Sequence, residues 1–265
     1  MIPIAPRRAR IDEDAARSMS IVLAQTIGLD VSGVSATIPF IYPLRIVAET
    51  ASAQIRHHVD VTNGQIAIHE SQSIRCERVL VAADDLTAAG ELKADDAMVS
   101  ISLNAETVGG GPAFSSATRL RVVPAAALIG ETATAKIRPT VNAVAPVIVS
   151  QRVTSDLVLA YAQAAGDFNP LHTDIQFVRS LEIPERVVPG MLLAGLAEPV
   201  VAHLGLGHLL ELRTRFLAPC FVGERISITV LDVQAIPQAT RRLRIAIALH
   251  EGPLVCISDV SLRDD

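Results

Sequence analysis

The chain predicts an α+β fold in two halves, each an antiparallel sheet packed against one long helix. Three observations carry this reading. Apolar and polar residues alternate with a period of two in two separated groups of segments. A helix-like apolar segment precedes each group, and a proline-bearing stretch without alternation divides them.

The first group is the clearer. In VSISLNAETV (99–108), Val99, Ile101, Leu103 and Ala105 alternate with Ser100, Ser102, Asn104 and Glu106. A strand with one face buried and one face wet gives that pattern. GGGPA then reads as a turn and SSATRLRVV (115–123) as the returning strand. The second group comprises 224–233, 241–250 and 254–262, divided by turn signals at Pro237 and at Gly252–Pro253. The preceding helices are YPLRIVAETASAQI (42–55) and GMLLAGLAEPVVAHL (190–204), and Pro199 predicts a kink near Val200 in the latter. A short similarity between LRIVAE (44–49) and LAGLAE (193–198) fits an old duplication. RPTVNAVAPVIVSQ (138–151) is the expected linker, which sets domains of 1–140 and 147–265.

Composition narrows the function. Half of the 265 residues are hydrophobic and 19% are charged, enough for a large core and too apolar for disorder. The net charge is −5 and no Lys/Arg run exceeds two residues, so no nucleic-acid role is expected. No segment approaches the ~18–20 uninterrupted apolar residues of a membrane span. Cys76, Cys220 and Cys256 are far apart, with no metal or disulfide spacing. With no secretory signal at the N-terminus, they point to a reducing cytoplasm.

One stretch looks chemically active: AGDFNPLHTD (165–174). Ser155 or Asp156 can cap a helix before it, and Gly166 can end that helix. Asp167 and His172 stand five residues apart, which on a continuous helix turns them about 140° from each other. A bend is needed to bring them together, and Asn169–Pro170 supplies one, Asn as a cap and Pro as a first helical residue. His172 then falls in the first turn of a new helix running on through TDIQFVRSL. The positive end of a helix disfavours an imidazolium, which leaves a neutral base beside the Asp167 carboxylate. The pair can share one water. D-x-N-P is equally an ordinary turn, and spacing by itself does not choose between the two. Farther on, Pro189–Gly190 opens the most hydrophobic helix, where a glycine lets a ligand reach free backbone N–H groups. Tight packing would also explain that glycine.

The run from Tyr161 to Asp174, YAQAAGDFNPLHTD, resembles the hydratase motif of the MaoC-like, or R-specific enoyl-CoA hydratase, family almost position by position. VVPGMLLAGLA (187–197) is similar to the start of that family's central helix, and RFLAPCFVGERISITV (215–230) to the strand–turn–strand after it. IAIHESQSIRCERVL (66–80) resembles the matching strand of the degenerate first domain in double hot-dog members. The resemblance implies a double hot-dog fold, two antiparallel sheets each wrapped on a central helix, with one active site per chain. Pro189 departs from the polar residue that members often carry before the glycine.

The resemblance implies reversible hydration of a trans-2-enoyl thioester to an (R)-3-hydroxyacyl thioester. The acyl group would be carried on CoA or acyl carrier protein. Asp167 and His172 would hold and deprotonate the water, the Gly190 N–H would polarise the thioester carbonyl, and Asn169 would brace the loop. Nothing demands a metal or an organic cofactor. A monomeric pseudo-dimer and a homodimer both fit, and an acyl-thioester-binding subunit or a hot-dog thioesterase stand as alternative functions. His57–His58 is expected to end a helix, and His69, His203, His208 and His250 to be structural or exposed. Arg213 and Arg215, on one strand face, are expected to be solvated rather than to hold a carrier's phosphates.

Overall fold

The computed structural model describes residues 1–31, 37–59, 64–130, 146–233 and 241–263. The N-terminal half contains β1 (Ile2–Arg10), α1 (Glu13–Thr26), α2 (Pro43–His57), β2 (Gln65–Cys76), β3 (Asp85–Ala94), β4 (Met98–Thr107), β5 (Pro112–Pro124) and α3 (Ala125–Gly130). The C-terminal half begins with β6 (Ile148–Val149), α4 (Ser155–Ala165), α5 (Pro170–Thr173), α6 (Ile175–Ser180), α7 (Gly190–Gly195) and α8 (Ala197–His203). It closes with β7 (His208–Phe216), β8 (Ile226–Val233), β9 (Arg242–Leu249) and β10 (Leu254–Arg263).

The alternation in β4 does what its spacing predicts: Val99, Ile101, Leu103 and Ala105 are buried while Ser102 and Asn104 face water. The two strand groups do not remain separate sheets. β2 and β7 pair antiparallel from Ser71↔Arg215 to Arg75↔Glu211 and fuse the halves into one ten-stranded sheet, ordered β1-β3-β4-β5-β2-β7-β10-β9-β8-β6. Outward from that junction, each half has the strand after its long helix, then its last, third and second-group strands, then its first strand at the edge. The two halves therefore repeat one topology. β1 carries Pro3 and Pro6, which an edge strand tolerates because its outer N–H groups have no ladder to serve. α1, capped by the Asp12 carboxylate on the Ala15 N–H, packs against α4. One core unites both halves and includes Met19, Leu23, Ile46, Ile74, Leu192 and Ile245.

Three expectations change. The linker expected over 138–151 lies outside the described residues as far as 145, and beyond that β6 pairs with β8 at the sheet edge. The Pro237 turn also lies outside the described residues. The kink expected near Val200 falls earlier, at Leu196, where α7 ends and α8 begins. Pro199 has no N–H to give the Gly195 carbonyl, and its ring crowds that same carbonyl, so the break falls at Leu196, just after the carbonyl left without a donor.

Candidate active site

The loop that carries the site is built by a succession of caps. Thr154, rather than Ser155 or Asp156, caps α4 by accepting from the Leu157 N–H. Gly166 ends α4 in the left-handed region, at φ 66°, where a residue without Cβ is unstrained. Asn169 then accepts from the Leu171 N–H at 3.1 Å, with Pro170 as first helical residue. The helix expected to run on through 181 does not. It stops after one turn, because Asp174 is extended and turns its carboxylate to the N–H groups of Gln176 and Phe177, starting α6. An Asp side chain that satisfies those groups competes with helix continuation.

α5 is held from both sides. Leu171 is buried in a small cluster with Val178, Ile183, Ile66 and Leu128. Its carbonyl accepts from the Val187 N–H at 3.0 Å, and the Val187 carbonyl lies 2.7 Å from His172 Nδ1. A carbonyl oxygen only accepts, so Nδ1 carries the proton and a neutral ring presents a lone pair at Nε2. Nε2 stands 3.7 Å from Asp167 Oδ2, too far for a direct hydrogen bond. Asp167 Oδ1 meanwhile accepts from the Asn169 N–H at 3.3 Å. Two acceptors thus face each other across a gap that a water molecule, with a proton for each, would complete.

Both groups open on a cavity of about 480 Å³, which Asn169 and Gly190 also line. Gly190 opens α7, and a Cβ there would lie 3.0 Å from the Phe216 ring, so the glycine serves close packing as well as access. The four residues singled out in the sequence are therefore gathered around one space. Its other wall belongs to the N-terminal half, including Leu44 and Ile55 of α2, Ile68 and His69 of β2, and Ile101 of β4.

Three residues of the site were not marked as such by sequence. His69, expected to be structural or exposed, lines the cavity and edges Phe216, with ring centroids 5.6 Å apart. Burial drives its pKa down to about 4, against the pull of the Asp167 carboxylate, so the ring is neutral. Tyr161, first residue of the motif, is buried with no partner for its hydroxyl among the described residues, and burial raises its pKa. Arg45 of α2 donates to the Ala164 carbonyl at 2.8 Å and ion-pairs with Asp12 and Glu49, clasping the end of α4 just before Asp167. His69 and Arg45 come from the half without the motif, and only their position in space marks them. Arg213 and Arg215 are exposed, the former paired with Glu211.

Comparison with known proteins meets this geometry from another side. The family described as "MaoC like domain" matches residues 134–245. The (R)-specific enoyl-CoA hydratase of Aeromonas caviae is 35% identical over 37% of this chain and 77% of its own. A mitochondrial 3-hydroxyacyl-[acyl-carrier-protein] dehydratase of Solanum lycopersicum is 30% identical over 38% of this chain and 63% of its own, so the chain spans less than two thirds of that relative. Among solved structures, a MaoC-like dehydratase from Phytophthora capsici superposes with a TM-score of 0.71 at 15% identity, covering 100% of this chain and 97% of that one. A 12:0-ACP thioesterase from Umbellularia californica also superposes, with a TM-score of 0.61 at 8% identity over 98% of this chain and 97% of that one. The fold is thus shared by proteins named for different reactions.

Proposed function

The chain belongs to the MaoC-like family, and from that premise we propose that it catalyses reversible hydration of trans-2-enoyl thioesters to (R)-3-hydroxyacyl thioesters. The observation that carries the reading is the pair of acceptors 3.7 Å apart in the wall of a largely apolar cavity. Water bridges His172 Nε2 and Asp167 Oδ2, giving one hydrogen to each. As its oxygen bonds to Cβ, Nε2 takes one proton and the double-bond electrons pass through Cα to the thioester oxygen. The Gly190 N–H stabilises that enolate oxygen, a charge that grows only in the transition state. The imidazolium then returns its proton to Cα on the same face. Asn169 holds the bend and moves no proton.

The acyl chain lies in the cavity against the N-terminal half, and the thiol carrier, CoA or acyl carrier protein, stays outside. The chain acts as a monomeric pseudo-dimer, a reading supported by the β2–β7 junction that joins the halves internally. No helix among the described residues is long and apolar enough to cross a membrane. Three unpaired thiols suit a reducing compartment such as the cytoplasm.

Loss of enoyl-thioester absorbance with crotonyl-CoA and longer 2-enoyl-CoAs tests the reaction. Asp167→Asn and His172→Ala are each expected to lower kcat/KM by about 10²–10⁴-fold, the usual worth of a general acid–base group. Wild-type turnover that survives both changes would remove the mechanism. Release of free thiol without loss of the double bond would instead identify a thioesterase, and thermal stabilisation by acyl-CoA without turnover a binding subunit.

A further inference from the structure

His69 is a polar group in the cavity wall that the proposed reaction does not use. It lies on β2, in the half without the catalytic motif, and neither ring nitrogen has a hydrogen-bond partner among the described residues. Its neighbours do not supply one. Gln72, three residues along the same strand, spends its amide on the Ser73 carbonyl and Ser116 and its oxygen on Thr118. Phe216 offers only a ring edge or face. With its charged form suppressed by burial, the imidazole presents one N–H and one lone pair toward the space that Asp167 and His172 also face. The Asp167 carboxylate acts on it through space, and His69, Asp167 and His172 line the same cavity.

A hydrocarbon chain filling that space would strip water from His69 and return no hydrogen bond. A chain bearing oxygen there would restore it, and a site built to bond such an oxygen discriminates against the analogue lacking it more sharply than an apolar pocket discriminates by size. We propose that His69 is a specificity-determining residue that selects acyl thioesters carrying a hydroxyl or carbonyl oxygen one or two carbons beyond Cβ. Its N–H donates to that oxygen, and with a hydroxyl its lone pair accepts in return. A neutral partner is preferred to a carboxylate, which the apolar walls around His69 would leave poorly solvated. This inference rests on the reading of the cavity as an acyl-thioester site, and it fixes the class of acyl group.

The test is calorimetric binding of three saturated thioesters of equal acyl length that the reaction cannot hydrate: pentanoyl-CoA, 4-hydroxypentanoyl-CoA and 5-hydroxypentanoyl-CoA, the hydroxy forms freshly made and checked for lactonisation by free-thiol assay. Alongside it, turnover is compared for 2-pentenoyl-CoA and its 4- and 5-hydroxy forms. Wild type is expected to bind at least one hydroxy ester about tenfold or more tighter than pentanoyl-CoA. His69→Leu should abolish or invert that preference, gaining on pentanoyl-CoA, and His69→Gln should keep part of it. Equal binding of all three esters by wild type, or a preference unchanged in His69→Leu, would overturn the proposal, and the wild-type comparison needs no variant to fold. A binding preference without hydration of any substrate would leave His69's role standing and sink the hydratase reading. Hydration without preference would do the reverse.

Discussion

Asp167 and His172 face each other as two acceptors because a single backbone carbonyl, that of Val187, claims the proton on Nδ1. The tautomer is thus set by the backbone of a residue fifteen positions away. Another residue stores a pH dependence. Glu198 of α8 is pushed by burial from 4.5 up to about 7, although its carboxylate accepts from the Phe40 N–H at 2.8 Å. Below the unfolded value both states are protonated and nothing is lost. Above the folded value the fold must hold a desolvated carboxylate, so stability falls as pH rises from about 4.5 through about 7. Glu198→Gln should remove that slope, with a melting temperature that gains on wild type from pH 5 to about pH 7 and levels off above it. Parallel melting curves across that range would contradict the burial argument.

Among elements, the one-turn α5 decides the geometry and is also the least self-sufficient. Its Asn169 cap, the Leu171 anchor and the Val187 carbonyl each fix one side of it. Asn169→Ala is expected to cost about 0.5–2 kcal/mol of stability through the lost cap, and to reduce kcat more than KM as His172 loses its orientation. The opposite end of the loop depends on α2, since Arg45 reaches across the halves to the last carbonyls of α4. Arg45→Met should cost about 1.5–3 kcal/mol, the range for hydrogen bonds to charged groups, read by urea unfolding. A loss below ~0.5 kcal/mol would mark the clasp as surface decoration. Sequence showed where this loop bends, because Gly166, Asn169 and Pro170 have strong local preferences. It did not show that Asp174 ends α5, since an Asp after a helical turn is compatible with either ending a helix or continuing inside it.

At the scale of the molecule, one sheet runs unbroken through both halves, with β2 and β7 satisfying each other's exposed edges. A hot-dog unit alone would leave that edge unpaired, an invitation to pair with another chain. Here the pairing is internal, so the 28.1 kDa chain should elute as a monomer by light scattering across micromolar concentrations. A concentration-dependent dimer would show that β1, β6 or a helical face is an interface as well. The same junction brings His69 and Phe216 together, one from each half.

What the sequence determined by itself is local: the alternation that makes β4, the glycine that ends α4, and the bend at Asn169–Pro170 between Asp167 and His172. Each follows from preferences that act within a few residues, and a chain carries those wherever it folds. Only the tertiary structure decided that the strand groups make one sheet, that Arg45 clasps α4, and that His69 lines the same cavity as Asp167 and His172. Those outcomes depend on which apolar surfaces meet over separations of about a hundred residues or more, as between Arg45 and Ala164. No periodicity or short motif encodes a meeting of that kind, because burial rewards total contact rather than any one pair.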